Sequence, residues 1–232
     1  MREVKIISEL CGQFGGSQRR AEQMILQSKM GGADYVKVQL YDTYKMSGEN
    51  RDLWEYLDID EEMLARLSSF ACNMNIGMFA SAFQKDKYDL IKKSQAWPIN
   101  KIASSLLIDN MSLCKEIVAD GITTLCSLGK WKDKEYPFKD DNVIYMHCVC
   151  EYPHTYERAI ELMPAKFEGQ LLGYSDHSVG IEACKEAIRR GAIWIEKHYT
   201  TDKELQCKTE GAHWCSMDYN ELVELRNFGD KI

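Results

Sequence analysis

The sequence has no uninterrupted apolar run of about 18 residues, the length a membrane-crossing helix requires, so no membrane span or membrane partner is expected. The start, Met1-Arg2-Glu3-Val4-Lys5, has no long apolar stretch behind it, and no secretory leader is expected. Proline is scarce, 4 in 232 residues, and glycine is ordinary at 15, which excludes collagen-like and low-complexity classes. No Cys-x-x-Cys pair occurs; the nearest spacing is Cys148-x-Cys150. The 9 cysteines are odd in number and thinly spread, and read as free thiols in a reducing, cytoplasmic compartment. A basic stripe is missing as well. Lys+Arg number 29 against 36 Asp+Glu, a net charge of −7, and the pairs Lys92-Lys93 and Arg189-Arg190 stand alone, which excludes a dedicated nucleic-acid binder.

What is present is an ordinary globular composition, 45% hydrophobic and 28% charged, in a chain long enough to bury a large core without a disulfide. Short apolar runs alternate with helical periodicities from end to end. Strands are expected at 3–9, 34–40, 76–82, 99–104, 122–127, 143–149, 171–175 and 192–198. Several are nearly continuous apolar runs, as strands covered on both faces are. Helical spacing places Ala21, Met24 and Ile25 on one face before Gly31-Gly32, and Met63, Leu64, Leu67 and Phe70 on another after Asp60 as N-cap. Ile181, Cys184, Ala187 and Ile188 repeat the pattern, and a last helix follows Asp218. Eight strands with helices between them predict an α/β fold, a (β/α)8 TIM barrel over residues 1–232 as one domain. Residues 130–142 carry a proline and no apolar periodicity, so the fifth helix is expected to be reduced or missing.

In such barrels functional groups gather at the C-terminal ends of the strands. That rule selects Glu9, then Lys37 and Gln39, Ser81, Lys101 and Ser104 on the fourth strand, Ser127, His147, Ser175 and His177, and finally Glu196 and His198. His177 and His198 are separated by one helix and one strand, so neighbouring strand ends can bring both imidazoles to one divalent ion. Glu196-Lys197 interrupts an apolar strand, which forces at least one charge toward the interior, where a carboxylate needs a partner. Lys37, between Val36 and Val38, reads equally as an exterior lysine or an interior anion-binding one. Trp131 and Tyr136 face either a substrate or their own loop.

At these residues the sequence resembles the N-acetylneuraminate (sialic acid) synthase family of TIM-barrel enzymes. The likeness lies in His147-Cys148-Val149-Cys150-Glu151-Tyr152-Pro153, Gly173-Tyr174-Ser175-Asp176-His177-Ser178 and Ile195-Glu196-Lys197-His198-Tyr199. Upstream, Gly32-Ala33-Asp34-Tyr35-Val36-Lys37-Val38-Gln39 and Lys101-Ile102-Ala103-Ser104 also match. The resemblance implies condensation of phosphoenolpyruvate with the open-chain aldehyde of an acylated amino sugar, such as an N-acetylmannosamine. It implies a divalent metal, Mn2+ with Mg2+ as the alternative, on His177 and His198. Phosphoenolpyruvate contacts carry over to Lys37, Lys101, Ser104, Ser127 and Ser175, with Ser81 in place of a threonine. Sugar-side and catalytic roles carry over to Glu9, Gln39, Tyr152 and Glu196, and the family pattern implies a homodimer. This chain departs from the pattern at Gln13-Phe14, where the family has Asn-His, at Lys130, at Cys150, where it has Asn or Ser, and at Ala212, where it has aspartate. Glu210 or His213 is the expected substitute for that aspartate. The family's C-terminal antifreeze-like domain is not expected, since the chain reaches Ile232 just after the eighth helix. Two other readings stand beside the synthase: a non-catalytic barrel that keeps the pocket, and a metal-dependent sugar aldolase.

Overall fold

Eight parallel strands close in sequence order into a barrel, β8 pairing back onto β1. A computed structural model describes residues 3–42, 55–94, 97–204 and 214–232. Glu210, Ala212 and His213, with the aspartate substitution they carry, lie outside the described residues. The strands are β1 (Lys5–Glu9), β2 (Tyr35–Leu40), β3 (Gly77–Ala82), β4 (Asn100–Ile102), β5 (Thr124–Ser127), β6 (Val143–Cys148), β7 (Leu171–Asp176) and β8 (Trp194–His198). Around them run α1 (Gln18–Met30), α2 (Glu61–Asn73), α3 (Lys85–Lys93), α4 (Ser104–Asp109), α5 (Met111–Ala119), α6 (Tyr156–Leu162), α7 (Glu182–Arg189) and α8 (Tyr219–Gly229). Among the described residues no helix is long and apolar enough to cross a membrane.

Local chemistry sets the boundaries. The Ser17 hydroxyl accepts the Arg20 N–H at the start of α1, and the Asp60 carboxylate accepts the Met63 N–H at 2.7 Å at the start of α2. Asp218 and Glu221 form a reciprocal capping box on α8. At the end of α1 the chain must pass close to α8: a Cβ on Gly31 would lie 2.7 Å from the Leu222 side chain, and Gly32 has φ +90. Only glycine meets both demands.

Two local expectations are resolved by packing. Ser104 is the first residue of α4 and not the last of β4, because the Ala103 carbonyl already accepts the Leu107 N–H of a helical turn. No helix lies between β5 and β6. There the Tyr145 hydroxyl donates to the Phe138 carbonyl at 2.7 Å and accepts the Phe138 N–H at 2.9 Å, while Tyr136 stacks on Tyr145 with ring centroids 4.2 Å apart. Trp131 donates its indole N–H to the Glu135 carbonyl, so both loop aromatics serve their own loop.

Glu196 and Lys197 point to opposite faces of β8, and both are buried. Lys197 lies between barrel and helices, 2.5 Å from Asp176 Oδ2, and also donates to the Ser178 carbonyl. Asp176 further accepts from the Tyr174 hydroxyl and from the backbone and side chain of Ser178. Burial alone would raise the Asp176 pKa, but Lys197 and the Ser178 bonds outweigh it and hold it low. A carboxylate lowered in this way stabilises the fold above the ordinary aspartate range and loses that contribution as pH falls through its folded value. Asp176→Asn should therefore flatten the acid side of a urea-unfolding stability profile. Asp176→Ala should cost about 3–5 kcal/mol, because it strands a buried ammonium. An acid limb unchanged in Asp176→Asn would contradict this assignment.

Candidate active site

Strand register assembles the site. Glu9 lies beside Lys37, Ser81 beside Lys101, and Ser175 beside Glu196, each pair on neighbouring strands. Their side chains meet inside the barrel mouth. Lys37 pairs with both Glu9 Oε2 and Glu196 Oε1, the latter at 3.0 Å, and donates to Ser81 Oγ at 3.4 Å. Lys101 lies 3.4 Å from the same Glu196 oxygen and donates to Ser127 Oγ at 2.6 Å. The Ser175 hydroxyl donates to Glu196 Oε1 at 3.1 Å, and Glu9 Oε1 accepts the Cys11 N–H at 2.8 Å. All seven side chains are buried. Lys37 is thus the interior lysine of the two readings open to it.

The cluster separates like groups in acidity. Burial would raise Glu196, yet Lys101 and Lys37 together hold it down to about 2. Glu9 is raised, by burial first and by the Glu196 charge, with Lys37 opposing. Lys37 is raised despite burial because two carboxylates face it, whereas burial and the Lys37 charge lower Lys101. Glu9 is thus the raised carboxyl of the pocket and Glu196 the lowered one.

One pleat nearer the mouth stand the imidazoles, His177 two residues after Ser175 and His198 two after Glu196, with ring centroids 5.5 Å apart. His177 Nδ1 lies 2.8 Å from the Val149 carbonyl, to which it must donate, so Nε2 carries the lone pair. Burial lowers the His177 pKa to about 4, leaving it neutral at ordinary pH. The spacing suits two rings reaching one ion at about 2.1 Å each. Among the described residues no third His, Cys, Asp or Glu joins them. The half-exposed Tyr152 ring covers His177 at 4.0 Å and lies 6.4 Å from His198. Gln39, half-buried and in register with Ser81, joins none of these hydrogen bonds. His147 stacks on Tyr174 on the far side of β6 from this pocket.

Three features were not legible as site elements. Gln13, at the Asn-His departure, donates to Ser216 Oγ at 2.9 Å and so ties the loop after β1 to the segment before α8. Ser104 Oγ contacts Cys150 Sγ at 3.2 Å, and Cys148 Sγ lies 3.7 Å from His177 Nδ1. Strand parity could have put Cys148 on the His177 side, but no spacing rule announces the other two contacts.

Residues 22–229 match the NeuB family. The chain belongs to the NeuB family. Pseudaminic acid synthase of Campylobacter jejuni is 30% identical over 95% of this chain and 71% of its own length. The N,N'-diacetyllegionaminic acid synthase of Legionella pneumophila is 26% identical over 95% of this chain and 69% of its own. Against a Methanocaldococcus jannaschii protein, 28% identical, this chain spans 64% of that protein's length. The crystal structure of the Leptospira borgpetersenii sialic acid synthetase, in complex with citrate, superposes with a TM-score of 0.88 at 29% identity, covering 99% of this chain and 83% of that one. In this NeuB chain the barrel end that carries the lysine cluster and imidazole pair is therefore the face on which to seek chemistry.

Proposed function

We propose that this NeuB chain joins phosphoenolpyruvate to the open-chain aldehyde of an N-acylated amino sugar, giving a nonulosonic acid and phosphate. The observation that carries the reading is the pair of buried ammonium groups, Lys37 and Lys101, sharing one carboxylate oxygen inside a ring of Ser81, Ser127 and Ser175 hydroxyls. Such a ring supplies charged and neutral donors to phosphate and carboxylate oxygens. The two ammonium groups are matched by the carboxylates of Glu9 and Glu196, so the cluster is close to neutral. A trianionic ligand therefore calls for added positive charge, from a proton on Glu9 and from a cation on the imidazole pair. His177 and His198 fit that cation by their spacing, and His177 by its tautomer as well. A divalent ion held there, Mn2+ or Mg2+, would supply Lewis-acid polarisation of the aldehyde oxygen.

In this reading Lys37, Lys101 and the serines fix the phosphate and carboxylate so that the enol carbon faces the aldehyde carbon. As the new carbon–carbon bond forms, Glu196 stays ionised and steadies the positive charge developing at the former enol-ether carbon. Glu9 moves the proton the new hydroxyl requires. Water adds at the cationic carbon, the bond to the phosphate oxygen breaks, and phosphate leaves. Tyr152 lies against the imidazoles where the sugar would enter. The test is a coupled phosphate-release assay over a panel of N-acylated hexosamines. Phosphate should appear only when phosphoenolpyruvate, one of these sugars and Mn2+ or Mg2+ are present together. Tight phosphoenolpyruvate binding without turnover on any sugar would instead support the non-catalytic barrel.

A further inference from the structure

We propose that Cys148 and Cys150 are a peroxide-oxidisable thiol pair whose disulfide re-aims His177 and disables the pocket. The two sulfurs converge on one point of the backbone. A Cβ at Gly129 would collide with Cys150 Sγ and come 3.2 Å from Cys148 Sγ, so a glycine there leaves room for both. Cys148 is buried, whereas Cys150 is half-buried and contacts the Ser104 hydroxyl at 3.2 Å. Cys150 is therefore the sulfur that an oxidant from the mouth reaches first, and the neighbouring thiol, Ser104 and the charges of Lys130 and Lys101 lower its pKa despite burial. Neither Cys148 nor Cys150 is in a disulfide.

The chemistry needs a hydroperoxide as two-electron oxidant. The Cys150 thiolate attacks one peroxide oxygen, the O–O bond breaks, and hydroxide leaves to become water, giving a sulfenic acid. The Cys148 thiol then displaces water from that sulfur and forms the S–S bond. Thiol reductants reverse the step.

Geometry links the bond to the pocket. β6 ends at Cys148, and Val149 is the one residue between the two thiols. A disulfide with its fixed torsion would therefore close a small ring through the Val149 peptide and set that peptide's orientation. The Val149 carbonyl is the acceptor that fixes His177 Nδ1 at 2.8 Å. Turning that peptide releases the imidazole from its tautomer and aim, and it separates Cys150 from Ser104. The thiol chemistry is independent of the reaction proposed above; its effect on catalysis rests on that reading.

The experiment treats the reduced full chain with equimolar hydrogen peroxide, alkylates the remaining thiols, and maps peptides, with Mn2+ binding followed by calorimetry before and after. The expected peptide carries no alkyl group on Cys148 or Cys150, is lighter by two hydrogens, and reverts with dithiothreitol. Mn2+ binding should weaken about ten- to a hundredfold on oxidation, the usual effect of losing a histidine's orienting partner, and Cys150→Ser should hold its Mn2+ affinity under peroxide. Alkylation of both cysteines after peroxide, or Cys150 stopping at a sulfinic acid with Cys148 free, would overturn the pair. A disulfide that leaves Mn2+ affinity unchanged would overturn the switch. The mapping uses neither substrate nor metal. A reduced protein that binds no Mn2+ would thus sink the metal assignment while the peptide map still decides the thiol pair.

Discussion

His177→Ala is expected to lower phosphate release about 10²- to 10³-fold while costing the fold no more than about 1–3 kcal/mol. The stability cost is small because the substitution frees only the Val149 carbonyl beside a half-open mouth. The catalytic cost is large because His177 contributes one of only two protein nitrogens available to a cation there, among the described residues. His198→Ala should match it. The sharper expectation concerns the double variant: if both imidazoles hold one ion, removing the second after the first adds little, so the double should fall within a few-fold of either single. Phosphate-release kinetics and Mn2+ titration of the three variants, with urea unfolding as the control, measure this. Losses that multiply would mean that the two rings act separately, and full turnover in either single variant would remove the metal from the reading.

Much of this arrangement was legible in the sequence, and the parts that were not share a physical cause. Strand period and near-continuous apolar runs gave the barrel, and strand parity put Glu196 with His198 and Ser175 with His177, as the structure has them. Parity says which residues share a face but not which face is inside. Lys37 stayed ambiguous for that reason, and only its register beside Glu9 decides it. The charged pair on β8 predicted at least one inward charge, and Glu196 is that charge. Lys197 is buried too, on the outer face, where Asp176 of the neighbouring strand meets it. Ser104 was expected on a strand because its preceding residues are apolar, but that signal cannot distinguish a strand's last residue from a helix's first. The approach of Cys150 to Ser104 joins segments far apart in the chain, and local patterning carries no information on such contacts.

Lys37→Met should destabilise the fold by about 3–5 kcal/mol and abolish phosphoenolpyruvate binding, and the two effects have separable causes. Lys37 is the cation that Glu9 and Glu196 share, and all three are buried. Without it, Lys101 alone faces two carboxylates, and at least one must be protonated or remain uncompensated in a low-dielectric site. The pH dependence then has a definite sign. Glu9, already raised and now without Lys37 to oppose it, has a folded pKa above its unfolded value, so the fold keeps its stability below the unfolded pKa and loses it as pH rises through the folded one. The variant's deficit in urea unfolding should therefore shrink in mild acid, opposite to the acid limb expected from Asp176. Adding Glu9→Gln removes one stranded charge and should recover about 1–3 kcal/mol, with the Cys11 N–H still able to donate to the amide oxygen. Phosphoenolpyruvate binding should not return if the ammonium itself binds the anion, as proposed, because the amide supplies no charge. A double variant that recovers both stability and binding would show that Lys37 serves only to neutralise Glu9, and the anion-binding role would pass to Lys101 alone.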